Sequence, residues 1–240
     1  TVDRPRARPR RPSLRKASTR ELVVYLADAN LWWRLTAQRL LVERQDRAAV
    51  KPLEGLARQS KSAPGRAHAL WTLRGLKALP DGLVESALKD PEPGVREQAL
   101  RLAEERLAAS APLRAAVAAL ADDPSPRVRF QAAFTLGEAN TPEMVKALAR
   151  VARRDAGDPW TQTAILSSCG RCAPALLETL ARDDVFSADR GGADPERLRL
   201  LARLAALVGA RADDAELARA LALLGKPGKE TDAAQAALLE

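Results

Sequence analysis

The residues best suited to redox, metal or acid–base chemistry are few: Cys169 and Cys172, in the run Cys169-Gly-Arg-Cys172, and the single histidine, His68. A CxxC pair can exchange disulfides, hold a metal or tether heme. Covalent heme attachment needs a histidine directly after the second cysteine, and Ala173 stands there. A tetrahedral zinc site needs two more ligands, which one histidine and no third cysteine could supply only by recruiting carboxylates. Thioredoxin-like exchange calls for a βαβ setting. What remains is a pair of small apolar residues near a helix end, with a local disulfide as its oxidised form. His68, in AHALWTL, is flanked by apolar residues, and no carboxylate in the pattern is placed to orient it as a general base. A structural hydrogen bond is the expectation for its ring. No nucleophile–base–orienter set, metal cluster or glycine-rich phosphate loop is present in the sequence, so the chain reads as a non-enzyme with no catalytic, cofactor or metal residue assigned.

The elements that carry these residues follow from an internal repeat. Ala37, Ala69, Ala99, Ala132 and Ala164 recur 32, 30, 33 and 32 residues apart, inside WWRLTAQRLL, GRAHALWTL, VREQALRLA, VRFQAAFTL and WTQTAILSS. Three residues before the alanine stand Arg34, Arg66, Arg96 and Arg129, with Thr161 as the departure; six before the arginine stand Asp28, Asp90 and Asp123, with Ser60 breaking the column and Asp155 continuing it. A looser sixth copy places Arg199 and Ala202 at the same offset. A fixed period of this size is the signature of a helical solenoid. In VRFQAAFTLGE the apolar residues recur at helical intervals behind Pro124 and Pro126, and Gly137 and Asn140 supply stop and turn chemistry. Thr141 then caps a second amphipathic run through Arg153. Each unit is therefore a helical hairpin that buries its apolar stripe only by stacking on neighbours. Fourteen helices are predicted, at 18–28, 31–44, 47–59, 65–78, 81–89, 94–107, 111–121, 126–138, 142–154, 159–168, 173–182, 195–209, 213–224 and 231–239.

The aspartate at the end of one helix and the arginine early in the next, as in DDPSPRVR and KDPEPGVR, resemble the HEAT repeats. The resemblance implies an all-α fold: an α-solenoid of about seven hairpins in a right-handed superhelix. It also implies that Asp28, Arg34, Arg66, Asp90, Arg96, Asp123, Arg129 and Asp155 form a structural ladder between repeats. A guanidinium suits that task, since its planar fork reaches carboxylates and helix-end carbonyls together. The first repeats, in the phrases WWRLTAQRLL and HALWTL, are similar more narrowly to the planctomycete and verrucomicrobial membrane-bound dehydrogenase-like proteins. There a β-propeller precedes the array and a c-type cytochrome domain follows it. Neither the propeller nor CxxCH occurs here, so no heme or dehydrogenase activity is carried over. That resemblance implies an extracytoplasmic, periplasmic setting, in which Cys169 and Cys172 would persist as a disulfide.

Charge separates the chain into an arm and an array. Of the net +8, residues 1–20 hold eight basic groups against Asp3, which leaves 31 basic and 30 acidic groups in the other 220 residues. Interleaved Pro5, Pro9 and Pro12 favour an extended segment, so residues 1–17 read as a basic linker or arm and 18–240 as the array, with an irregular loop at 183–194. No stretch approaches the roughly 18 apolar residues of a membrane span. The start at Thr1 reads as an excised piece of a larger, multidomain bacterial protein. A nearly neutral array disfavours nucleic acid, and the expected role is a scaffold for a protein partner or for flanking domains of the same chain. The alternative is a nucleic-acid-binding surface like that of HEAT-like DNA glycosylases, which would need basic second helices and strong salt dependence. Second helices line the concave face in HEAT arrays, so Trp33 and Trp160, at the starts of two of them, are the candidate partner anchors.

Overall fold

A computed structural model describes residues 13–183, Phe186, 194–211, 213–216 and 218. Among these the secondary structure is helical throughout, in twelve α-helices with four 3₁₀ turns. The helices are α1 (Thr19–Tyr25), α2 (Leu31–Arg44), α3 (Val50–Gln59), α4 (Ala63–Gly75), α5 (Asp81–Ala87), α6 (Pro93–Ala103), α7 (Ala111–Ala119), α8 (Pro126–Gly137), α9 (Pro142–Asp155), α10 (Pro159–Ser168), α11 (Ala173–Ala181) and α12 (Pro195–Ala210). They form six of the seven expected hairpins. The predicted helices at 213–224 and 231–239, most of the arm and most of the 183–194 loop lie outside the described residues.

Local chemistry starts each helix. Ser18 and Glu21 close a reciprocal capping box on α1, while Asn30, Ser62, Ser110, Thr141, Asp158 and Asp194 accept first-turn N–H groups of α2, α4, α7, α9, α10 and α12. Proline occupies the first turn of α4 and of every helix from α6 to α12, where its missing N–H costs least.

The chain divides into two compact units, residues 1–83 and 84–240, within the span expected as one array. In the first, α1 packs on α2 and α3, and α4 on α2 and α3. In the second, α6, α8, α10 and α12 make one layer and α7, α9 and α11 the other. All five anchor alanines are fully buried, and the core around them is chiefly alanine and leucine. Small anchors bring the helix axes together. Gly137 is the last residue of α8, as expected of a helix stop, and it also lies close against α10: a Cβ there would collide with the Ser168 carbonyl. Left-handed backbone falls on Gln45, the C-cap of α2, and on Lys77 after α4.

Candidate partner-binding groove

The arginine column settles first, because it fixes the turns that aim the second helices. Arg34, Arg66, Arg96 and Arg129 each donate from Nη1 to the carbonyl six residues back, those of Asp28, Ser60, Asp90 and Asp123, all at 2.7 Å. In residues 84–240 two of them also fork onto the next repeat: Arg96 onto Asp123 at 2.7 and 2.8 Å, and Arg129 onto Asp155 at 2.6 and 2.7 Å. The Asp155 hydrogen bonds, together with the charges of Asp155 and Asp123, push the Arg129 guanidinium above its ordinary range against the opposing effect of burial. The column's acids serve the turn as well, since Asp28, Asp90 and Asp123 accept the N–H two residues on, as Ser60 does with its hydroxyl.

Two readings of the column are corrected. At the fifth repeat the arginine's place is taken by Gln162, not left vacant at Thr161: its Nε2 donates to the Ala156 carbonyl at 2.7 Å and to that of Glu196 at 2.9 Å. Helix α9 runs on through Asp155, which moves the turn one residue along, and Thr161 instead binds the N-cap Asp158. Arg199 keeps the offset in sequence only; it is exposed and pairs with Glu196 on its own helix.

Cys169 and Cys172 are both buried and stand as free thiols. Burial, with the neighbouring Cys172, pushes the Cys169 thiol up to about 12, and burial raises Cys172 too, so neither is a thiolate near neutral pH. His68 Nδ1 lies 2.6 Å from Gln38 Oε1, a carboxamide where a general base would need a carboxylate. Its imidazole is held below its usual value by burial and then by the charge of Arg34. Among the described residues no group of three or more His, Cys, Asp or Glu could hold a metal ion, and no helix is long and apolar enough to cross a membrane.

The aromatic residues are placed unusually. Six of the chain's eight (Trp32, Trp33, Trp71, Phe130, Phe134 and Trp160) lie on second helices, none of them buried, although large rings ordinarily fill cores. Trp33 is half-covered by Tyr25, with ring centroids 5.9 Å apart, and by Trp32 at 4.6 Å, and it is Trp32 that is more exposed, at 59%. Trp160 is 74% exposed. Pro159 and the Asp158 cap fix its backbone, and its ring stands over a groove of about 510 Å³ formed by α6, α8 and α10.

The groove's aromatic wall is Phe130, which meets Phe134 edge-to-face at 5.2 Å. Arg101 and Gln131, which line the groove, belong to a polar network that ties α6 and Glu104, the residue after it, to α8 through side chains 27 to 31 residues apart. Arg101 Nε donates to Gln131 Oε1 at 2.9 Å, and Gln131 and Thr135 donate to Glu104 at 3.3 and 2.8 Å. Burial raises the Glu104 carboxyl, partly offset by the Thr135 hydroxyl. Glu97 faces Arg127 across the same two helices. A shallower depression of about 300 Å³, lined by Leu166, Arg203, Ala206 and Leu207, continues this face between α10 and α12. Trp160 was singled out in the sequence by its position at a helix start. Phe130 and Glu97 were not, because each sits two residues before a repeat alanine, a position that ordinary packing also explains.

No curated protein matches the chain. The family model described as HEAT repeats matches residues 80–169 and, in an overlapping second register, residues 113–189, and the hairpins, buried alanines and arginine ladder of those residues are those of a HEAT-like repeat array.

Proposed function

We propose that this chain is a non-catalytic HEAT-like scaffold that presents the second-helix face of residues 84–240 to a protein partner or to a flanking domain. One observation carries the reading: Trp160 stands 74% exposed over a groove walled by Phe130, in a protein that fills its core with alanine and leucine. Exposed aromatic anchors beside a pocket are the usual energetic centre of a protein interface. The phrases WWRLTAQRLL and HALWTL extend the proposal to the dehydrogenase-like proteins, where the array would space a propeller from a cytochrome domain in an extracytoplasmic setting.

A random peptide library displayed on phage and selected on the whole chain tests this. Binders are expected to lose affinity for Trp160→Ala, a change at an exposed side chain that leaves thermal unfolding where it was. Binders indifferent to Trp160→Ala and Phe130→Ala would overturn the reading. So would salt-sensitive binding of duplex DNA that persists without residues 1–12.

A further inference from the structure

We infer that the groove holds an arginine side chain of the partner, received by Glu97 and stacked between Trp160 and Phe130. The inference rests on reading this face as a partner surface and adds the chemistry of what it takes. Glu97 is only 8% exposed, and among the described residues its carboxylate pairs with Arg127: Nε lies 3.1 Å from Oε1, and Nη2 donates to Oε2 at 3.2 Å. Oε1 is buried and receives no aligned hydrogen bond. A buried carboxylate oxygen left in that state is costly, and a better-placed donor is the remedy.

The cation that now covers it is poorly held. Arg127 is 80% exposed along its side chain, and among the described residues its polar contacts are those with Glu97. Arg96, Arg114 and Arg129 are each pinned to two backbone carbonyls. Arg127 can swing into solvent while an incoming guanidinium takes its place, so the number of ion pairs is conserved in the exchange. The gain comes from what solvent cannot offer: bidentate hydrogen bonding to Glu97 and stacking on two aromatic faces. Asp158, at the same rim, adds negative charge. An anionic ligand would instead meet Glu97, Asp158 and the faces of the rings, while Arg101 is already committed to Gln131. Lysine would keep the charge but lose the planar fork.

The test uses a fluorescein-labelled peptide, Ser-Pro-Arg-Ala-Pro-Ser with blocked ends, and its counterparts with lysine or the neutral isostere citrulline in place of arginine. Binding to the whole chain is read by fluorescence polarisation. The arginine peptide should bind about tenfold more tightly than the citrulline peptide. Glu97→Gln should erase that difference, Trp160→Ala should weaken the arginine peptide about tenfold, and Arg127→Ala should tighten it severalfold by removing the internal competitor. Equal binding of arginine and citrulline, no binding of any peptide, a preference that survives Glu97→Gln, or weaker binding by Arg127→Ala would each overturn the inference. The arginine–citrulline comparison in the parent protein does not depend on any variant folding. Phage-selected binders that need Trp160 but no arginine would leave the partner-surface reading standing and remove this one.

Discussion

Arg34 and Arg129 hold the same position in the repeat and make the same bond to the carbonyl six residues back. They differ in what the rest of the guanidinium finds. Arg129 meets the Asp155 carboxylate with two nitrogens, whereas Ser60 stands where the corresponding carboxylate would lie for Arg34, and Arg34 Nε is buried without a partner. Even so, α2 still packs against α4 in residues 1–83, less extensively than α8 packs against α10 in residues 84–240. The difference teaches that the arginine's first task is inside its own repeat, tying down the turn between two helices. The bridge to the next repeat is an addition, and Gln162 supports this by keeping the first task with no charge at all.

The sharpest way to break the comparison is to remove both arginines. Arg129→Ala leaves a mostly buried Asp155 without its cation and should lower stability by about 3–5 kcal/mol in urea unfolding. Arg34→Ala forfeits hydrogen bonds to carbonyls only and should cost about 1–2 kcal/mol. Equal losses would mean that the carboxylate contributes nothing. The two close glycine contacts form a second pair. A methyl at Gly137 runs into the backbone of Ser168, while one at Gly75 meets Val42 Cγ2 at 2.6 Å, the end of a side chain that can turn away. Gly137→Ala should cost about 1–3 kcal/mol and Gly75→Ala less than about 1 kcal/mol, measured in the same way.

Repairing the weaker region sharpens the contrast. Ser60→Asp keeps an acceptor for the Ser62 N–H and supplies the carboxylate that Arg34 lacks, so it should raise stability by about 1 kcal/mol, a gain that Arg34→Ala abolishes.

Acid supplies the smallest effects, and they have opposite signs in the two regions. The folded His68 is below its unfolded value of 6.5, so the unfolded chain binds the proton first, and stability is lost as pH falls from 6.5 through the folded value. Glu104 is raised above 4.5, so the unfolded chain releases its proton first, and stability is lost as pH rises above 4.5. His68→Gln should therefore compare better with the parent at pH 5 than at pH 7.5, and Glu104→Gln better at pH 7 than at pH 4. Unfolding midpoints across pH check both.

The helices and the repeat were legible because their causes are local. Prolines in first turns, Ser, Thr, Asn and Asp caps and a recurring alanine placed most boundaries within a few residues, and the alanines are fully buried. The column at the fifth repeat was misread at Thr161 because α9 runs one residue further, a shift that no residue type announces. Gly137 announced the end of α8 by its chemistry, but not the neighbouring helix 31 residues along the chain that leaves no room there for a side chain. The groove was hidden for the same reason: Glu97, Arg127, Phe130 and Trp160 come from three repeats, and each alone is an ordinary surface or packing residue.

By itself, then, the sequence determined an all-helical array of repeats about 32 residues long, with its alanines inward and its arginines at the turns, because capping, periodicity and composition act over one or two helical turns. The tertiary structure decided which carboxylate each arginine reaches, that Cys169 and Cys172 are enclosed as thiols, and that Glu97 lies beneath Arg127 in a groove under Trp160. Those outcomes depend on how neighbouring hairpins stack, which is set by side-chain volumes summed across several repeats rather than by any one of them.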